Sequence, residues 1–254
     1  MLCSIFFDNC EQRLQKIASY IIMNKVYDQV NYQNSTYYQK GNMPLLLTAP
    51  HGGSKRIGTK DRTKGVVIKD DDTLQLAFLI SDNIHQFTGQ RPYLVAADFS
   101  RKDIDANRNS NEAYEDPKMA LTYNFYHQMI REYINDIKRK YGNAGLLLDI
   151  HGQGAQPDTI FRGTSNEKTA NRDSINSLKS LSNRGYNVIP NGNNLLDKED
   201  NRFVGGWTVR HYGINNPNGI NAIQIELGSN LRSRNKFADQ FAQDLAISLL
   251  QNID

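Results

Sequence analysis

Leu45-Leu46-Leu47-Thr48-Ala49-Pro50-His51-Gly52-Gly53 and Leu146-Leu147-Leu148-Asp149-Ile150-His151-Gly152 follow one plan. Each begins with an apolar run and ends on an imidazole followed by glycine. Short unbroken apolar runs of this kind are core strands, buried on both faces as parallel sheets require. Both histidines then fall at the carboxyl ends of strands, where open α/β sheets place ligands and chemistry. The neighbouring glycines let a metal or substrate come close to the backbone. The pairing points to a hydrolytic metal site.

Working outward from these strands, helix and strand patterns alternate from Met43 onward. A polar stretch, Ser54–Lys64, reads as a loop. A helix is expected from Thr73 to His85, with Leu76, Ala77, Ile80 and Ile84 on one face. A strand follows over Pro92–Ala97. The strongest helical pattern runs from Pro117 to Tyr141, where Leu121, Phe125, Met129, Ile130, Tyr133, Ile134 and Ile137 recur at helical spacing and Gly142 and Gly145 flank the exit. Beyond the second histidine, a helix is expected over 168–182, a strand over Asn187–Ile189, a loop over Pro190–Asn193, a strand over Ala222–Leu227 and a closing helix over 234–250. This succession predicts an α/β fold, a three-layer αβα sandwich with a mostly parallel mixed sheet, occupying residues 44–254. Residues 1–43 read as an appendage packed on it, with a helix over 10–22 (Leu14, Ile17, Ile21) and a polar, Asn- and Tyr-rich segment over 30–42.

Composition narrows the classes of function. The chain has 254 residues, 39% hydrophobic and 22% charged, with a net charge of +3. Its basic residues are scattered, which gives no electrostatic case for a nucleic-acid partner. No apolar run is long enough to span a bilayer, and Ser4-Ile5-Phe6-Phe7 is too short and too close to Asp8 and Glu11 to resemble a signal peptide. Cys3 and Cys10 are the only cysteines. Two thiols cannot staple a chain of this size, so they are expected to be free, in the cytoplasm. No serine-hydrolase elbow, phosphate-binding loop or dinucleotide fingerprint is present; Gly152-Gln153-Gly154 alone is not one.

Zinc hydrolases commonly use two imidazoles and a carboxylate, leaving a position for water. His51 and His151 supply the imidazoles. Asp70-Asp71-Asp72, just before Thr73, offers three candidate carboxylates, although caps of the coming helix would read the same way. A water nucleophile needs a base, and Glu226, which ends the apolar run Ala222-Ile223-Gln224-Ile225, is the best candidate. Glutamate is costly to bury beside such a strand without a task. Arg101, Arg108 and Arg232 lie in loops after expected strands and suit bidentate recognition of a substrate carboxylate, with Asp105 and Asn107 orienting them. Asp149 is a candidate for steering an imidazole. Among the remaining histidines, His85 and His127 read as structural, and His211 belongs to a Gly- and Trp-containing segment suited to lining a pocket.

Taken in order, Ala49-Pro50-His51-Gly52-Gly53, Asp70-x-x-Thr73-x-x-Leu76-Ala77, Ser100-Arg101-x-x-x-Asp105-x-Asn107-Arg108, Leu148-Asp149-x-His151-Gly152 and Gln224-x-Glu226-Leu227 resemble the N-formylglutamate amidohydrolase-like family over residues 44–235. The resemblance implies the phosphorylase/hydrolase-like fold shared with zinc carboxypeptidases and aminoacylases. It also implies zinc held by His51, Asp70 and His151, Glu226 as general acid/base, and substrate contacts from the segment 101–108. The expected activity is hydrolysis of the amide bond of an N-acyl amino acid or a similar small, peptide-like substrate. The rival expectations are a zinc carboxypeptidase or poly-γ-glutamate-type peptidase, and a catalytically silent binding protein of the same fold.

Overall fold

The computed structural model describes residues 30–31, 35–191, 198–233 and 236–250. The helix expected over 10–22 lies outside them, as does the end of the Pro190–Asn193 loop. Eight strands form one sheet: β1 (Val30–Asn31), β2 (Thr36–Gln39), β3 (Leu45–Ala49), β4 (Tyr93–Ala97), β5 (Leu146–Gly152), β6 (Thr159–Gly163), β7 (Asn187–Ile189) and β8 (Asn221–Leu227), in spatial order β1-β2-β4-β3-β5-β8-β6-β7. The four central strands, β4-β3-β5-β8, are mutually parallel. β2 runs antiparallel to β4 and β6 antiparallel to β8, so the sheet is mixed at its flanks.

Alternation along the strands divides the core into two layers, because successive side chains point to opposite faces. Leu45, Leu47 and Ala49 pack with Leu146, Leu148, Ile150, Ile223 and Ile225 against helices α1 (Thr73–Thr88) and α8 (Lys236–Leu250). Leu46, Val95, Leu147 and Ala222 pack on the other side against α3 (Ala120–Tyr141), through Tyr126, Ile130 and Ile137. The apolar runs are therefore continuous because both faces are covered. The chain leaves β3 through α1 for β4 on one side and returns through α3 to β5 on the other. The order reverses between β3 and β5, and the crevice that opens there is where such sheets bind ligands.

Three local expectations differ from the structure. First, Thr36–Gln39, inside the stretch read as an appendage, is a strand of the main sheet, paired from Thr36↔Ala97 to Gln39↔Leu94. Second, the helix expected over 168–182 is two short ones, α4 (Arg172–Asn176) and α5 (Lys179–Asn183). Thr169 is tied to β8 by bonds to both backbone groups of Ala222, and Ser177 turns its hydroxyl back onto the Ser174 carbonyl (2.6 Å), offering the backbone an alternative to continued helix. Third, β6 was not expected: Arg162 in its middle hides the strand pattern, yet it is buried and answered by Glu199 at 3.3 Å. Further along, α6 (Trp207–Tyr212) brings Arg210 to the crevice; two more short helices are α2 (Ser110–Ala113) and α7 (Ser229–Arg232). Among the described residues no helix is long and apolar enough to cross a membrane.

Candidate metal centre and catalytic cavity

His51 follows the end of β3, His151 is the sixth residue of β5, and Asp70 precedes α1. Parallel pairing of β3 with β5, in the register Thr48↔Asp149, brings the two strand ends side by side. The Asp70 amide donates to the His51 carbonyl (3.1 Å), folding the 52–69 loop back onto the strand end. Of the three consecutive aspartates, Asp70 alone enters the site. Asp71 is exposed and pairs with Lys69, while Asp72 takes a left-handed conformation at the helix N-cap with no side-chain capping bond.

Three ligand atoms converge there. His51 Nδ1 lies 3.1 Å from His151 Nδ1, and Asp70 Oδ2 lies 3.3 Å from the first and 3.2 Å from the second. A tetrahedral ion with bonds of about 2.0–2.1 Å separates its ligand atoms by roughly 3.3 Å, so the triangle has the size that zinc requires. The outer edge of each ring explains why these atoms face inward. His51 Nε2 is 2.7 Å from Asp105 Oδ1, and His151 Nε2 is 2.9 Å from Asp149 Oδ2. A carboxylate can only accept, so each Nε2 carries a hydrogen and each Nδ1 is the nitrogen left to face a metal ion beside Asp70. Three lone pairs turned on one point repel unless a proton or cation sits among them.

Electrostatics agree. Burial acts to lower the His151 pKa, but the charge and hydrogen bond of Asp149, with the hydrogen bond of Asp70, lift it well above the ordinary histidine value. Burial acts to raise Asp70 and Asp105, yet the neighbouring imidazoles hold both carboxyls far below their usual range. The pocket is thus built for positive charge at its centre. His51, Asp70 and His151 are also the single group of three described residues able to share a metal ion.

The centre forms the floor of a cavity of about 700 Å³. Glu226 lies in its wall, opposite His151 in the β5–β8 register. Burial lifts the Glu226 carboxyl to about 7. The fold has counterparts among solved structures. An N-formylglutamate amidohydrolase from Ralstonia eutropha JMP134 superposes with a TM-score of 0.64 and 16% identity, over 86% of this chain and 96% of the other. The chain has the fold of an N-formylglutamate amidohydrolase. A gene product of Agrobacterium tumefaciens superposes with a TM-score of 0.60 and 18% identity, over 87% and 95% of the two chains. No protein-family model and no curated protein matches the sequence.

Within this amidohydrolase fold the residues expected to touch substrate divide sharply. Arg101 lines the cavity, but its guanidinium is engaged with Asp70 Oδ1 (3.1 Å), the Ile68 carbonyl (3.2 Å) and Asp105 Oδ2 (3.3 Å). Asp105 is fully buried behind His51. Both therefore brace the metal centre. Arg232 is not among the cavity-lining residues; it binds the carbonyls of Leu227 and Asp71 and packs so close to Gly152 that a Cβ there would meet its Nε at 2.7 Å. Arg108 and Asn107 do line the cavity. Arg108 donates to the Asn107 carbonyl (2.9 Å), and Asn107 accepts from the Thr208 amide (2.7 Å).

Sequence reasoning missed Arg202, Phe203 and Arg210, which also line the cavity, and gave no role to Gln224 of the Gln224-x-Glu226 motif, which touches Glu226. Arg202 is held by Asp200 at 2.7 Å and lies over the Phe203 ring. Arg210, exposed on α6, has no carboxylate within ion-pair distance among the described residues. No motif marks Arg202, Phe203 or Arg210; only the Gly205-Gly206-Trp207 segment hinted that this loop lines a pocket. His127 is a core residue, as expected, bonded to the Tyr212 hydroxyl (3.0 Å), and His211 borders a separate cavity on the far side of α6.

Proposed function

We propose that this protein is a zinc-dependent amidohydrolase that cleaves the amide bond of an N-acyl amino acid, of the N-formyl type or close to it. The observation that carries the reading is the triangle of His51 Nδ1, His151 Nδ1 and Asp70 Oδ2, with both rings backed by carboxylates and Glu226 beside His151 on the neighbouring strand. Zinc bound by these residues supplies Lewis acidity toward the scissile carbonyl and toward water. Glu226, poised near neutrality by burial, takes the proton of the attacking water and returns it to the departing amine nitrogen. Arg108 and Arg210 offer charge to a substrate carboxylate at the cavity rim. Asp105 and Asp149 hold the imidazoles in the tautomer that the ion needs.

The test combines metal analysis of protein purified without chelators with a substrate panel. One zinc per chain and turnover of N-formyl or N-acetyl amino acids support the proposal. Turnover confined to γ-linked or α-linked peptides would replace it with a peptidase, and a chain without stoichiometric metal would overturn it. In the Glu226→Gln variant turnover should fall by at least about 10³-fold while zinc stays bound. Retained activity would remove Glu226 from this role.

A further inference from the structure

Gln224 and Glu226 stand two residues apart on β8, so both side chains leave the same face of the sheet. Gln224 is buried, and its amide is used at both ends. The Gly206 backbone N–H, which can only donate, lies 2.6 Å from Gln224 Oε1. Asn107 Nδ2 approaches the same oxygen at 3.4 Å, with Asn107 itself oriented by the Thr208 N–H on its Oδ1. These donors fix which end of the amide is oxygen. Gln224 Nε2 must therefore face Glu226, and it donates to Glu226 Oε1 at 2.8 Å. Among the described residues no hydrogen bond reaches the other carboxylate oxygen. The close approach that anchors this arrangement demands glycine at 206, where a Cβ would fall 2.1 Å from Asn107 Nδ2.

We infer that Gln224 is a positioning residue: it pins Oε1 of Glu226 to the loop that opens α6 and leaves Oε2 as the oxygen that exchanges the proton with water and the amine. The inference rests on the base role of Glu226 in the proposed reaction. It adds that the base is aimed by the 205–208 segment, through Gln224.

Two variants test it. Gln224→Glu keeps the shape and the acceptor for Gly206 but loses the donor to Glu226; Gln224→Met loses both. Each, zinc-loaded, is expected to lose about 10²-fold in kcat, the cost of a base misplaced by about 1 Å, with KM and zinc stoichiometry unchanged. A crystal structure of Gln224→Met should show the Glu226 carboxylate displaced from its wild-type place. A Gln224→Glu enzyme within about threefold of wild-type kcat would overturn the inference, since it would reduce Gln224 to an anchor for Gly206. Loss of zinc together with turnover, or a Gln224→Met structure with Glu226 unmoved, would overturn it as well. If the wild-type protein hydrolyses none of the N-acyl amino acids, the proposed function falls, and the position of Glu226 in the Gln224→Met structure still decides the role of Gln224.

Discussion

The two walls of the cavity are built by opposite rules. On the wall made by β3, β5 and the loops after them, every charged group is matched: His51 by Asp105, His151 by Asp149, Asp70 by Arg101 and by the Gly152 amide at 3.2 Å. These groups are buried, and the field they leave is one site for a cation. On the wall made by 202–210 the cations are peripheral. Arg210 is exposed and without a carboxylate partner among the described residues, and Arg202 rests on an aromatic ring. A preorganised frame holds a fixed ion with no further rearrangement, whereas an exposed arginine such as Arg210 offers its charge to a ligand that brings a negative one. The difference separates what the protein supplies from what it waits for.

Removing a member of the matched wall should give the largest effect. Asp70→Ala deletes one vertex of the triangle and leaves Arg101 with Asp105 alone as carboxylate partner, so stoichiometric zinc should be lost outright. Metal analysis after dialysis checks this, and a variant that keeps one zinc per chain would break the claim that this wall alone defines the ion site. Asp105→Asn and Asp149→Asn are the sharper probes. Each leaves the three ligand atoms in place but removes the charge behind one ring, and zinc affinity should fall by about 10–100-fold in a competition titration with a chelator. Equal affinity in both variants and wild type would mean that the outer carboxylates do not orient the rings.

The matched wall also sets a pH dependence. With no metal bound, the proton-rich state of His151 is favoured, because Asp149 and Asp70 hold its pKa well above the ordinary value despite burial. Zinc must displace that proton, so binding should release protons into a weakly buffered solution, and affinity should fall as the pH is lowered. Affinity independent of pH between about 6 and 8 would contradict a site held by protons in the absence of metal.

The open wall should respond differently. Arg210→Ala and Arg108→Ala remove charge from the edge without touching the triangle. Zinc content and kcat should stay close to wild type while KM for an N-acyl amino acid rises about tenfold, the cost of one charge-assisted hydrogen bond. A fall in kcat with unchanged KM would move the affected arginine from substrate binding into the chemistry.

Much of the matched wall was legible in the sequence, and little of the open one. His51, Asp70, His151 and Glu226 each sit where a strand or helix boundary is written in local pattern, and parallel pairing then brings those boundaries together. Arg101 and Asp105 were legible as site residues but not in their task. Whether an arginine faces substrate or braces a carboxylate depends on contacts such as Arg101 to Asp70, thirty-one positions apart, which no local pattern encodes. Arg210 could not be singled out, since an exposed helical arginine carries no signature of its own, and Gln224 stood in a motif without a role, because its contacts to Gly206 and Asn107 lie far off in the chain. β6 escaped because its charged residue, Arg162, is compensated by Glu199 from a loop 37 positions away.

The smallest expected effect separates Glu226 from the metal frame without any assay of activity. In the metal-stripped protein burial raises the Glu226 carboxyl from 4.5 to about 7. Between those values the folded state binds more protons than the unfolded state, so this group makes stability decline as the pH rises through that window. Below about 4.5 the carboxyl is neutral in both states and costs nothing; above 7 the folded state carries the full cost of a buried charge. Glu226→Gln removes that cost while keeping the shape and an oxygen for Gln224. Stripped of metal, the variant should melt a few degrees above wild type at pH 8 and at the same temperature at pH 4. Equal melting at both pH values would place the carboxylate in water and deny it the raised proton affinity on which its role as base depends.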